Sequence, residues 1–86
     1  MAADNLAFVD VDLTRSITID GAEVAKLRLR EPTVADQMAA EEFKGSDAVK
    51  EVFTLANLCQ VAPDDLKKMT LKDYRKLQNA FLNFIK

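Results

Sequence analysis

Asp20-Gly21 stands between two runs of alternating hydrophobicity, and no other feature constrains the fold of this chain as much. Ile17 and Ile19 alternate with Ser16, Thr18 and Asp20. Beyond the Gly, Ala25, Leu27 and Leu29 alternate with Lys26, Arg28 and Arg30. A period of two places successive side chains on opposite faces of a strand. Asp-Gly suits the tight turn that joins two such strands, because glycine takes positive φ without steric cost. Residues 15–30 are therefore predicted to form a β-hairpin with one apolar face. Val24 falls on the other face and marks a bulge or a second contact. A lone hairpin is marginal in water, so helices must cover the apolar face.

Val9 to Leu13 alternates as well, more weakly. Residues 1–14 are expected as an N-terminal arm, either flexible or forming an extra edge strand. Residues 15–86 are expected to make one domain, since 86 residues leave no room for a second.

Helical signals fill the remainder. Pro32 stops the second strand, and Thr33 with Asp36 has the spacing of a capping box, opening a short helix to about Phe43 that Gly45 ends. Ser46 or Asp47 caps a second helix to about Gln60, in which Val49, Val52, Phe53, Ala56 and Cys59 recur at helical spacing and Leu58 falls outside the apolar arc. Pro63-Asp64-Asp65-Leu66 reads as a short helical turn, with Pro at its first position and the acidic pair at the positive end of the helix dipole. Thr70 and Asp73 form a second capping-box pattern at the head of a last helix reaching the C-terminus. The predicted class is α+β: an N-terminal β-hairpin followed by three to four helices in a small single domain.

The missing residue types close most catalytic routes. The chain has no His and no Trp, two Gly, and Cys59 as its one cysteine. Without His, the usual general base near neutral pH and the commonest transition-metal ligand are gone. A single thiol makes neither an intrachain disulfide nor a cysteine zinc site. Cys59 sits within the apolar arc of its helix and is expected as a small buried residue, not a nucleophile. Glu41 with Glu42, and Asp64 with Asp65, read as solvated or dipole-matched charges. No catalytic, cofactor-binding or metal-ligating residue is predicted, and the chain is not expected to be an enzyme. No apolar run approaches the ~20 residues of a membrane span. Met1 to Asp12 lacks the basic flank of a secretory signal.

Charge is segregated along the chain. Residues 31–65 carry a net −6 and residues 66–86 a net +5, within an overall −2. Such blocks either attract each other, within one fold or between copies, or are simply two solvated faces. The last helix is apolar over an arc of about 200°, wider than a surface helix of a small domain normally buries. Leu71, Tyr74, Leu77, Ala80, Phe81, Leu82, Phe84 and Ile85 fill that arc, interrupted by Asp73 and Gln78. Either this helix is wrapped by the others or one edge of it stays exposed for a partner. The expected partner contacts are Leu77, Phe81 and Phe84, with Tyr74 and Leu58 beside them.

Several pieces together carry a resemblance. Leu27-Arg28-Leu29-Arg30-Glu31-Pro32-Thr33 leads from strand to helix, with Asp36 three residues on. Leu58-Cys59-Gln60-Val61, Pro63-Asp64-Asp65-Leu66 and Leu71-Lys72-Asp73-Tyr74 follow, then Leu77 and Phe81. From about Ser16 to Phe84 the chain resembles the small tail assembly chaperones of long-tailed bacteriophages, of the Mu-like or E-type family. The resemblance implies a protein that binds the long, helical, apolar tape-measure protein, keeps it soluble and assists assembly of the tail tube. It implies the tail tube protein and a frameshifted longer form of the chain as further partners, homo-oligomers, action in the host cytoplasm, and absence from the mature virion. No cofactor, membrane or nucleic acid belongs to this reading. Two alternatives stay open on the residues: a structural tail or baseplate adaptor, and a small nucleic-acid-binding module using Lys72, Arg75, Lys76 and Lys86.

Overall fold

The computed structural model describes residues 6–86. Two antiparallel strands, β1 (Phe8–Ile19) and β2 (Ala22–Arg30), form the whole sheet, and four helices follow: α1 (Val34–Glu42), α2 (Asp47–Cys59), α3 (Pro63–Leu66) and α4 (Leu71–Phe84). The turn is the one the sequence calls for. Ile19 pairs with Ala22, and between them Asp20 and Gly21 take φ of 50° and 82°. Positive φ at both central positions matches the right-handed twist of the strands.

The strands pair further than the alternation suggested. Phe8 pairs with Arg30, so residues 8–14, expected as an arm or a separate edge strand, are the outer part of β1 itself. Residues 1–5 of that expected arm lie outside the described residues. Register runs from Phe8↔Arg30 to Asp12↔Lys26, then resumes at Ile17↔Val24. The irregularity therefore belongs to β1, where Leu13 to Ser16 stand opposite Ala25 alone. Val24, the residue marked as out of phase, sits across from buried Ile17 and packs on the core.

One face of the hairpin is covered. α2 packs on β2 and α4 on β1, with α3 closing the end near β1. Val11, Leu27 and Leu29 from the sheet meet Leu55, Ala56, Leu58 and Cys59 of α2, Leu66 of α3 and Leu77 of α4 in a single core. The outward face carries the charges, with Arg28 paired to Asp10 at 3.0 Å and its guanidinium 4.1 Å above the Phe8 ring.

Caps fix where each helix begins. Thr33 and Asp36 make the full capping box of α1, and the Asp36 carboxylate also takes two hydrogen bonds, at 2.7 and 2.8 Å, from the Arg30 guanidinium at the end of β2. This pair ties the strand exit to the first turn of the helix. Ser46 caps α2, whose end is turned by Gln60 in the left-handed region at φ 59°. The Phe43 ring, just past α1, stacks on Phe53 of α2 with centroids 4.1 Å apart. Thr70 caps α4 by accepting from the Asp73 N–H.

The second half of that predicted box is absent. Asp73 does not turn back to the N-cap. Its carboxylate, fully buried, reaches across to the irregular part of β1 and accepts from the Thr14 N–H at 2.9 and 3.0 Å, the Thr14 hydroxyl at 2.9 Å and the Arg15 N–H at 3.2 Å. A run of residues without strand partners leaves orphan backbone donors, and a buried carboxylate is a strong acceptor for them. Lys76 and Lys68 add bonds to the carbonyls of Asp12 and Thr18, at 3.0 and 2.8 Å. The α3–α4 segment thus grips the backbone of β1 at four residues, and these bonds set the position of α4.

Candidate functional site

With α4 fixed against β1, its wide apolar arc divides into a part the core takes and a part it leaves. At 100° per residue the middle of the arc holds Leu77, Phe81 and Phe84. Leu77 is completely buried. Phe81 and Phe84 are half-buried and pack against the core, as does Tyr74. Leu58, on α2, is 1% exposed and belongs to the core. Leu58 and Leu77 therefore offer no side-chain surface to a partner, contrary to the expectation for both. The physical reason is simple: the centre of an apolar arc faces the domain interior, and only its edge is left over. Leu58 lies outside the best arc of α2, but α2 is enclosed by β2, α3 and α4, so its flank is buried too.

The edge that remains is Leu71, Leu82 and Ile85, 74%, 53% and 56% exposed. These three share one side of α4 with Arg75, Gln78 and Lys86. The signal was present in the sequence as the flank of the arc next to Arg75.

Across from the Ile85 end of this edge lies α1. It buries no residue completely, and it leaves Val34 74% and Met38 60% exposed. Between α1 and the C-terminal half of α4 runs an open cleft of about 550 Å³, lined by Val34, Gln37 and Ala40 on one wall and Phe81 and Ile85 on the other, with Thr54 of α2 between them. A second cleft of about 480 Å³ continues it between α2 and α4, sharing Thr54 and Phe81 and bounded by Glu51, Leu55, Arg75 and Leu82. Phe81 is thus common to both clefts, and of the expected contact residues it is the one placed in them. Tyr74 lies one turn away and donates its hydroxyl to Glu51 Oε1 at 2.8 Å, an oxygen that also accepts from Gln78 at 2.8 Å. Burial, followed by this Glu51 carboxylate, pushes the Tyr74 phenol above its ordinary value. Phe84 points with the core-facing part of the helix and lines neither cleft.

The exposed ionisable residues of α1 are Glu41 and Glu42; its Asp36 is held below the ordinary carboxylate range by Arg30. The exposed ionisable residues of α4 are Lys72 and Arg75, with Lys86 just beyond its end. Cys59 is 8% exposed and burial pushes its thiol up to about 12, so it stays protonated and packs as an apolar side chain. Among the described residues no group of three His, Cys, Asp or Glu side chains is placed to hold a metal ion, and no helix is long and apolar enough to cross a membrane.

The sequence model of the family described as "Phage tail assembly chaperone proteins, E, or 41 or 14" matches residues 10–86, nearly the whole chain. No curated protein and no solved structure matches it. The chain belongs to that phage tail assembly chaperone family.

Proposed function

We propose that this member of the phage tail assembly chaperone family binds apolar helical segments of the tape-measure protein in the cleft between α1 and α4. The observation that carries this reading is the apolar lining left open in the cleft, Val34 and Ala40 on α1 and Phe81 and Ile85 on α4, with exposed Leu82 in the adjoining cleft beside α2. An amphipathic helix laid in such a cleft buries its apolar stripe against both walls, the helix-in-groove mode. Each large apolar side chain removed from water contributes on the order of 1.5–3 kcal/mol, so a few anchors hold a partner after the entropy of association is subtracted.

Modest affinity per copy suits a chaperone. Many copies along one long client add avidity, and each still leaves when tube subunits compete for the client. In this reading the protein works in the host cytoplasm and is absent from the mature virion.

Co-expression tests the reading. The wild-type chain should raise the soluble fraction of the tape-measure protein encoded by the same phage and co-purify with it. A Leu82→Asp, Ile85→Asp variant that keeps its helical circular dichroism should do neither. A salt titration separates this from phosphate binding: a contact carried by Lys72, Arg75 and Lys86 weakens steeply as salt rises, whereas an apolar contact does not. Detection of the chain in purified finished tails at stoichiometric level would favour a permanent structural subunit instead.

A further inference from the structure

Beside its exposed apolar edge, α4 carries a polar flank that the fold leaves without partners. At 100° per residue Arg75 lies next to Leu71 and Leu82, and Asn79 and Lys72 continue the same side of the helix. All three are exposed. Among the described residues, ion pairs join Asp10 to Arg28, Asp12 to Lys26, Asp36 to Arg30, Asp64 to Lys67 and Asp65 to Lys68, and none takes Lys72 or Arg75. The side-chain hydrogen bonds of α4 there come from Asp73, Tyr74, Lys76 and Gln78. Lys72, Arg75 and Asn79 contribute none of them.

The cleft of about 480 Å³ between α2 and α4 shows which chemistry is left over. Arg75, Gln78 and Asn79 line its α4 wall, and Glu51 and Thr54 its α2 wall. The α2 wall is committed within the fold. Glu51 Oε1 takes the Tyr74 hydroxyl and the Gln78 amide, each at 2.8 Å, and the Thr54 hydroxyl donates to the Lys50 carbonyl at 2.9 Å. Glu51 is the charged group that shares this cleft with Arg75, yet no ion pair joins the two. The Arg75 guanidinium has five N–H donors and no acceptor, so the group it lacks is an anion of carboxylate geometry.

We propose that the client helix carries Asp or Glu residues along one border of its apolar stripe, and that Arg75, with Lys72 and Asn79, selects the client by that border. This rests on the proposed binding of a client helix and specifies that helix's chemistry. A helix seated with its apolar stripe on Phe81 and Leu82 brings its border over Arg75, because Arg75 adjoins the apolar edge. A client carboxylate one turn further along meets Lys72 or Asn79, since both partners repeat at helical spacing. A helix with a basic border meets like charge instead, and that repulsion makes the contact selective. A nucleic acid fits less well. Its phosphates would lie against exposed Leu71 and Leu82 on one side and the Glu51 carboxylate on the other.

Fluorescence anisotropy with three labelled synthetic helices tests this. All share one leucine stripe and differ in the residues bordering it: Glu, Gln or Lys. At low salt the wild-type chain should bind the Glu-bordered helix about fivefold or more tightly than the Gln-bordered one, and the Lys-bordered one most weakly. The chain's net charge of −2 favours the opposite order, so overall charge does not produce this result. Lys72→Glu with Arg75→Glu should reverse the order and leave the affinity for the Gln-bordered helix unchanged. Both positions are exposed, and unchanged circular dichroism verifies the fold of the variant. Raising the salt should erase the preference and leave the apolar binding, because exposed charges are screened. Equal affinity for all three helices at low salt, or a preference for the Lys-bordered one, overturns the proposal and leaves the apolar cleft standing. So does a preference for Glu that survives the double reversal. Binding to none of the three removes the client reading, and this inference falls with it. A short DNA duplex that binds more tightly than the Glu-bordered helix, and loses that binding in the double variant, assigns the flank to phosphate and also overturns the proposal.

Discussion

The Asp73 carboxylate, in the first turn of α4, accepts the backbone N–H and the hydroxyl of Thr14 in β1, a contact spanning 59 positions of sequence. It ties the last helix to the first strand through an irregular stretch whose amides have no partner across the hairpin. Since α4 carries one wall of the candidate cleft, this side chain helps to position that wall without lining the cleft. Asp73→Ala leaves the partly buried N–H groups of Thr14 and Arg15 without their acceptor, whereas Thr14→Ala removes only a hydroxyl. Denaturant titration should therefore show a larger loss of stability for Asp73→Ala than for Thr14→Ala. Hydrogen exchange at the Thr14 and Arg15 amides should accelerate in the Asp73 variant and change little in the other. Equal losses in the two variants would contradict the assignment.

Acid should loosen the same contact. Hydrogen bonding from the Thr14 backbone, with further bonds from Arg15 and the Thr14 hydroxyl, holds the Asp73 pKa below its ordinary value. Asp36 is lowered as well, chiefly by Arg30. A carboxylate with a depressed folded-state pKa contributes stability that is fully present above its unfolded value, near ~4, and is lost as pH falls toward the folded value. Unfolding free energy should thus be flat from neutral pH down to about pH 5 and fall below it. Asp73→Asn, already uncharged, should be less stable at neutral pH and show a shallower decline in acid. An identical acid limb in wild type and variant would sink this account.

Two glycines separate strain from crowding. At Gly21, φ is +82° and a Cβ would meet open space, so Gly21→Ala costs the conformational penalty alone, about 1 kcal/mol. At Gly45, φ is +149° and a Cβ would fall 2.7 Å from Val49 Cγ1. Gly45→Ala therefore adds a clash with the first turn of α2 to the backbone cost and should be the more destabilising of the two by urea titration. The reverse order would show that the α1–α2 connection relaxes freely.

Within α4, neighbouring leucines should behave differently. Leu77→Ala empties a fully buried site and should cost about 2–5 kcal/mol of stability. Leu82→Ala, on the exposed edge, should stay within about 0.5 kcal/mol of wild type. Thermal melts of the two variants check the division between core and surface directly.

The Cys59 thiol gives a further check on the packing of α2. Burial raises its pKa to about 12, so at pH 8 it is both protonated and covered. Aromatic disulfide reagents should label it at the rate of unfolding and quickly once denaturant is present. Fast labelling of the native chain would show that α2 is not seated as described.

Much of this fold is legible in the residues because local chemistry sets it. Asp20-Gly21 specifies the turn, Thr33 with Asp36 the head of α1, Ser46 that of α2, and Pro63 that of α3. What local patterns do not carry is the choice among partners distant in sequence. Thr70 and Asp73 have capping-box spacing, yet Asp73 turns to Thr14 because β1 departs from regular pairing there, and no window around residue 73 contains that fact. The same limit governs the exposed apolar edge. Periodicity shows that α4 is apolar over too wide an arc, but which part is surplus depends on where β1 and α2 sit. Leu77 at the centre of the arc is taken by the core, and Leu71, Leu82 and Ile85 at its flank are left exposed. Leu58 belongs to the core for the same reason: a residue off the best stripe of α2 is still enclosed when that helix packs against β2, α3 and α4.

The central claim is that the apolar edges of α1 and α4 exist to cover a helix of another chain. Isothermal titration of the wild-type protein with soluble amphipathic segments of the tape-measure protein, set against Leu82→Asp and against Val34→Asp, tests it most directly. The account predicts measurable binding with a negative heat-capacity change for wild type, the marker of apolar burial, and a loss of about tenfold or more in affinity for each folded variant. Undiminished binding by both variants, with their native circular dichroism intact, would contradict it.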